Sequence, residues 1–145
     1  MKLAPETWIM ICDGQKYLLL ENKGDEDVLN LQTVDHGQLD PAELATDGLE
    51  RPGVFQGSAM RRGSGETASV HDIAEQRFVA GIARRLDDWA LEDRFHALVV
   101  VADKTTLGTL RARVSEHVTS RTIREIGNDI VHETIPDIEA FIQKA

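Results

Sequence analysis

The sequence is poor in cysteine and contains no long apolar run. Cys12 is the only cysteine among its 145 residues, so no disulfide can form within the chain. This cysteine ends the apolar run that begins at Trp8, a setting that predicts a buried and unreactive thiol. No apolar stretch approaches the length of a membrane-spanning helix, and Met1 to Glu6 lacks the apolar core of a signal peptide. We therefore expect a cytoplasmic protein that does not associate with membranes.

Positive charge is also scarce. The chain has 16 Lys and Arg against 25 Asp and Glu, a net charge of −9, which argues against bulk, sequence-independent binding of nucleic acid. The segment from Lys104 to Arg124 is an exception, because its five basic residues and one acidic residue give it a charge of +4. A solvated helix face accounts for most runs of this kind. A local basic contact surface is the alternative interpretation.

The remaining composition and patterning predict a single α/β domain covering residues 1–145. Hydrophobic residues make up 41% of the chain and charged residues 28%, as is ordinary for a globular protein. Three β-prone segments come first, and helical and β-prone segments then alternate. In order, the segments are strands at Trp8 to Cys12, Gln15 to Glu21 and Val28 to His36, a helix from Ser69 to about Trp89, a strand at Phe95 to Ala102, a helix from Thr105 or Thr106, a strand at Thr122 to Ile126 and a helix at Pro136 to Ile142.

This order, β-β-β-α-β-α-β-α, predicts one mixed β-sheet of about five strands with helices packed on it. It is the element order of the ribonuclease H-like fold. A long segment at about residues 37–68 interrupts the pattern with six glycines and two prolines and with no sustained apolar period. We interpret this segment as a loop inserted in the domain, and a loop of this length in a compact domain is unusual.

Basic and glycine residues in this loop suggest a site for anions. Backbone N–H groups and the dipole at a helix start attract anions, and the loop leads into the helix expected near Ser69. Glycines permit close approach of a phosphate, and arginines can form forked contacts with it. The candidate residues for binding an anion or RNA are Arg51, Arg61, Arg62, Gly63 and Gly65. A solvated loop is the alternative, because no strand runs directly into the glycines as in a P-loop.

A second candidate is a set of carboxylates. Asp13, Asp103 and Asp129 follow the first, fourth and fifth predicted strands, and Glu75 lies in the first turn of the first helix. In a ribonuclease H-like sheet these side chains can converge at one edge and hold Mg²⁺ for two-metal cleavage of a phosphodiester. Each of the three aspartates also suits a turn, a helix start or a loop, so the pattern leaves both interpretations open.

Short motifs spread along the chain carry a resemblance to a known family. They are Asp13-Gly14, Glu50-Arg51-Pro52-Gly53, Leu107-Gly108-Thr109-Leu110-Arg111, and Glu125-Ile126 with Asp129. In this order and spacing they resemble bacterial host-attachment proteins, which are described as required for attachment to host cells, and the resemblance covers nearly the whole chain. That family is similar to bacterial relatives of the central domain of archaeal and eukaryotic peptide-chain release factors. The resemblance therefore implies a release-factor-like domain with a connection to the ribosome or tRNA.

One departure from the release factors limits what the resemblance implies. Release factors carry a Gly-Gly-Gln tripeptide in the corresponding loop, whereas this chain has Gln56-Gly57 and no Gly-Gly-Gln, so hydrolysis of peptidyl-tRNA is not implied. We expect a non-catalytic protein without a cofactor, whose long loop binds RNA, tRNA, the ribosome or another protein. The alternative is a Mg²⁺-dependent nuclease that uses Asp13, Asp103 and Asp129.

Overall fold

The computed structural model describes residues 1–42 and 69–145. Most of the predicted inserted loop lies outside the described residues. The same is true of all five candidate anion-binding residues, namely Arg51, Arg61, Arg62, Gly63 and Gly65.

The described residues form one five-stranded mixed sheet and four helices, which confirms the predicted fold class. The sheet order is β3-β2-β1-β4-β5. Antiparallel pairs join β1 to β2 and β2 to β3, whereas β4 pairs parallel with β1 and β5 pairs parallel with β4. The strands are β1 (Trp8–Cys12), β2 (Lys16–Asn22), β3 (Leu31–Gln38), β4 (Leu98–Ala102) and β5 (Thr122–Gly127), and the helices are α1 (Val70–Leu91), α2 (Lys104–Arg113), α3 (Glu116–Thr119) and α4 (Ile135–Lys144).

Side chains alternate between two hydrophobic cores, one on each face of the sheet. Trp8, Met10 and Cys12 of β1 point to the face that is covered by α1, α2 and α3. Their neighbours Ile9 and Ile11 point to the face that is covered by α4. Both central strands, β1 and β4, are buried along their whole length, as expected for strands packed on both sides. Among the described residues, no helix is long and apolar enough to cross a membrane.

The inserted loop begins later than the glycine pattern predicts. The glycine pattern places Gly37 in the loop, but β3 continues to Gln38 and Gly37 pairs with Tyr17 of β2. A Cβ at Gly37 would stand 2.6 Å from Cε2 of the Tyr17 ring. Glycine at this position therefore makes room for an aromatic neighbour within the sheet. Val28, predicted to begin β3, instead lies before the strand and is exposed.

The fourth strand and the helix that follows it also differ from the prediction. The apolar run predicts that Phe95 begins β4, but the strand begins only at Leu98, and the Phe95 side chain is buried against Trp8. The second helix is capped by Asp103, whose side chain accepts a hydrogen bond from the backbone N–H of Thr106. The apolar spacing of Leu107, Leu110, Val114 and His117 or Val118 predicts one continuous helix, but α2 ends at Arg113 and the backbone is extended at Val114, so Val118 lies in the separate short helix α3.

Tyr17 is expected to ionise only at strongly alkaline pH. Burial of the ring, aided by the hydrogen bond from its hydroxyl group to Asp35 (2.8 Å), raises the pKa of Tyr17 to about 12 from a usual value of 10. Neutral Tyr17 thus stabilises the fold fully below pH 10, and this contribution is lost as the pH rises from 10 to about 12. Tyr17 is the only tyrosine, so tyrosinate absorbance follows it directly. Asp35→Asn should lower the midpoint, and a parent midpoint near pH 10 would contradict the prediction.

Candidate functional site

The parallel strands bring two of the predicted carboxylates to one edge of the sheet. Cys12 of β1 is paired with Ala102 of β4, so the next residues, Asp13 and Asp103, leave the sheet side by side. Burial raises the pKa of the Cys12 thiol, and the negative charges of Asp13 and Asp103 raise it further. The structure thus confirms that the thiol is buried, and a raised pKa keeps it protonated at neutral pH, as an unreactive thiol requires.

Both aspartates are engaged in hydrogen bonds with their own local backbone. Asp13 Oδ1 accepts from the backbone N–H groups of Gln15 and Lys16, each at 2.8 Å, and so closes the turn between β1 and β2. Its other oxygen, Oδ2, lies 3.5 Å from Nε2 of His132. Asp103 caps α2, because its carboxylate accepts from the backbone N–H of Thr106 at 3.1 Å and from the Thr106 hydroxyl at 2.7 Å. These bonds order the turn and the helix start.

Glu75 reaches the same edge from the second turn of α1, not from the first turn as predicted, because the helix begins at Val70. Asp129 follows β5 and is exposed. The Glu75 carboxylate accepts a hydrogen bond from the side-chain amide of Gln15 at 2.8 Å. It lies over Gly14, where an added Cβ would stand 2.7 Å from Oε1. Within residues 1–42 and 69–145, however, no three His, Cys, Asp or Glu side chains form a group that could hold a metal ion. The predicted metal set thus shares a region of the sheet without assembling there as a metal centre.

The start of α1 is acidic. Ser69 and Asp72 form the predicted capping box, in which each side chain accepts from the backbone N–H of the other residue. Two of the N–H groups expected to attract an anion are therefore already satisfied. A cavity of about 300 Å³ beside this turn is lined by the carboxylates of Asp72 and Glu75 and by the threonines Thr105, Thr106 and Thr109. This cavity favours polar, uncharged or positively charged groups over phosphate.

The basic segment lies around α2 and β5, and part of its charge is compensated. Arg111 contacts Glu125 at 2.6 Å. Arg121 contacts Asp93 at 2.8 Å and also donates to the backbone oxygens of Phe95 and His117. Three further basic residues of the segment are exposed, namely Lys104, Arg113 and Arg124. The run of charge in the sequence therefore divides into residues that hold the fold together and residues that face solvent.

These pairings were not predicted from the sequence. Arg121 and Asp93 are 28 residues apart and meet because the end of α1 and the start of β5 lie at the same end of the sheet. The only sequence signal was the position of both residues at predicted element ends. A charge count that ignores such partners overestimates the positive charge available to a ligand.

The described structure is that of a single-sheet α/β domain whose edge carboxylates stabilise turns and helix starts. A family model described as bacterial archaeo-eukaryotic release factor family 12 matches residues 6–142. The chain belongs to this family, which confirms the release-factor part of the predicted resemblance. A comparison with curated proteins finds no match.

Proposed function

We propose that this protein is a non-catalytic member of the release-factor family that binds RNA on the ribosome through exposed basic side chains. The observation that carries the proposal is the family match over residues 6–142, because release factors are named for a role in ending translation. A protein that binds ribosomes would work in the cytoplasm, as the sequence predicts.

The hydrogen bonds at the sheet edge support a role without catalysis. Asp13 Oδ1 and the Asp103 carboxylate both accept backbone N–H groups, so each of these side chains already has a structural role, in a turn or at a helix start. The chain also lacks a Gly-Gly-Gln tripeptide, and hydrolysis of peptidyl-tRNA is not part of the proposal.

The distribution of charge restricts where RNA can approach. Asp72 in the first turn of α1 and Glu75 in the second give this cavity a negative charge, which disfavours phosphate there. Lys104, Arg113 and Arg124 are exposed around α2 and β5. We propose these three residues as one contact set and the loop residues Arg51, Arg61 and Arg62, with Gly63 and Gly65, as a second.

The resemblance to host-attachment proteins is compatible with this proposal if attachment to host cells is a distant phenotype. A protein that acts on ribosomes can alter attachment indirectly by changing which proteins a cell makes. The proposal therefore assigns no adhesive surface to this chain.

Removal of either basic set is expected to weaken co-sedimentation with ribosomes and to flatten its dependence on salt. Each lost phosphate contact should reduce the slope of log affinity against log salt by roughly 0.7 for single-stranded RNA. The two double variants are Arg61→Ala with Arg62→Ala, and Arg113→Ala with Arg124→Ala. Thermal stability of the Arg113 and Arg124 variant should hardly change, since both residues are exposed and such substitutions are usually within about 0.5 kcal/mol.

The matched control is Lys2→Ala with Lys23→Ala, which removes the same charge at the β2 and β3 end of the sheet. These lysines contact Asp27 and Glu21 at 3.3 Å, and their loss should leave ribosome binding unchanged. Failure of the parent to bind ribosomes or tRNA even at low salt would refute the proposal. Mg²⁺-dependent cleavage of RNA by the parent, abolished by Asp13→Asn, would instead support the nuclease alternative.

A further inference from the structure

The second half of the chain encloses an apolar recess that neither the catalytic nor the RNA-binding hypothesis uses. Its volume is about 310 Å³, roughly twice that of an apolar cavity of about 150 Å³ that holds benzene. It lies between the helices α1, α2 and α3 and the face of β4 and β5 that these helices cover. Six aliphatic side chains line it: Leu86, Val100, Leu107, Leu110, Val114 and Val118.

These side chains belong to the main core of this face and not to a surface patch. Leu86, Leu110 and Val118 are each no more than 4% exposed, and Val114 packs against the same cluster as a partly buried residue. Protein interiors seldom leave spaces of this size beside fully packed side chains. A recess with an apolar floor and a few polar groups at its opening is the usual form of a small-molecule site.

The polar groups of the recess are mainly acceptors. The hydroxyl of Thr119 donates to the backbone oxygen of Ser115 at 3.2 Å, and that of Thr122 donates to the backbone oxygen of Val118 at 2.8 Å. Both hydroxyl oxygens therefore keep lone pairs but have no proton left to give. Glu125 adds a carboxylate, of which Oε1 is held by Arg111 at 2.6 Å.

The charges at the opening select against ions. Arg111 and Glu125 neutralise each other, so a cationic ligand would compete with Arg111 and an anionic ligand would meet the Glu125 carboxylate. From this geometry we propose that the recess binds a small, neutral, apolar molecule with one hydrogen-bond donor, such as a phenol or an indole. The apolar ring would lie among the six aliphatic side chains, and its O–H or N–H would meet Thr119, Thr122 or Glu125.

The proposal predicts an order of affinity among simple probes. Phenol and indole should bind about three- to tenfold more tightly than toluene, which is the effect of one net hydrogen bond of about 1 kcal/mol. Benzoate should bind more weakly than phenol, because its charge faces Glu125. Titrations of the full chain, followed by the methyl NMR signals of leucine and valine, should show shifts confined to the six lining residues.

Two variants test the location and the charge selectivity. Val114→Phe places a ring in the recess and should weaken phenol binding at least tenfold, whereas the same change at the exposed Val28 should have no effect. Glu125→Gln removes the negative charge and frees Arg111, so benzoate should gain affinity relative to phenol. Parent protein that shows no methyl shifts with phenol or indole, or that prefers benzoate, overturns the proposal. Undiminished binding by a folded Val114→Phe variant overturns it as well.

Discussion

Asn22→Leu is expected to lower the free energy of unfolding by about 3 kcal/mol. The Asn22 side chain is fully buried at the end of β2. Its amide nitrogen donates to the backbone oxygens of Leu3 (3.0 Å), Ala4 (3.4 Å) and Asp25 (3.4 Å). Its oxygen accepts from the backbone N–H groups of Gly24 (3.0 Å) and Asn30 (3.1 Å). Leucine satisfies none of these groups, and those that water cannot reach lose their only partner.

The matched control is Asn30→Leu, the same substitution at an exposed residue. Asn30 donates its backbone N–H to the Asn22 side chain, and this N–H is kept when the Asn30 side chain is replaced. Its effect should stay within about 0.5 kcal/mol. Asn22→Asp adds a second test, because a carboxylate cannot donate to Leu3 and Ala4 but its protonated form can. Stability of this variant relative to the parent should therefore recover on acidification. Urea unfolding measures all three variants, and a loss below 1 kcal/mol in Asn22→Leu would contradict the account.

Elements whose residues show a strong local signal were predicted well. The apolar runs of β1 and β4 predict strands buried on both faces, and the structure places them at the centre of the sheet. Ser69 and Asp72 have the spacing of a capping box, and both of its hydrogen bonds form. In these cases the information that determines the element lies within a few residues of sequence.

Predictions failed where a distant residue decides the local structure. Gly37 has the composition of a loop, but it belongs to β3 because the ring of Tyr17 occupies the space that a side chain would need. Nothing in the local sequence marks Asn22 as buried, although its side chain joins the N-terminal segment to two turns by lying within hydrogen-bond distance of five backbone groups. Neither the contact of Gly37 with Tyr17 nor the contacts of Asn22 can be recognised from the spacing of apolar residues in the sequence.

The candidate site was predicted at the level of topology and not of chemistry. Parallel strands place Asp13 and Asp103 side by side, as the element order implies. Which atoms the two carboxylates contact depends on turn and cap geometry, and both carboxylates accept backbone N–H groups. The apolar recess had no sequence signal, because its lining residues also form the ordinary hydrophobic faces of α1, α2, α3 and β4. Spacing alone cannot distinguish a side chain that borders a cavity from one that fills the core.

Phe95→Ala is expected to have the largest effect of the substitutions considered, a loss of about 4 kcal/mol. The Phe95 ring is 1% exposed and stacks on Trp8 with ring centroids 4.9 Å apart and an interplanar angle of 24°. Truncation removes the buried ring and leaves a cavity, and the lost stacking adds about 1 kcal/mol. Phe95→Leu, which keeps most of the volume, should cost about 1.5 kcal/mol or less, and Leu91→Ala at an exposed site should cost almost nothing.

The fluorescence emission of Trp8 provides a second measurement of the effect of Phe95→Ala. Trp8 contacts Trp89 edge-to-face at 5.6 Å, and these are the only two tryptophans, so a Trp89→Phe background isolates Trp8. Phe95 borders a recess of about 390 Å³ that is also lined by Glu6 and His96. Removal of its ring should let water reach the indole and shift the emission to longer wavelength while the protein remains folded. An unchanged emission maximum together with a loss below 1.5 kcal/mol would show that the stack contributes little, because the surrounding core would then have closed over the missing ring.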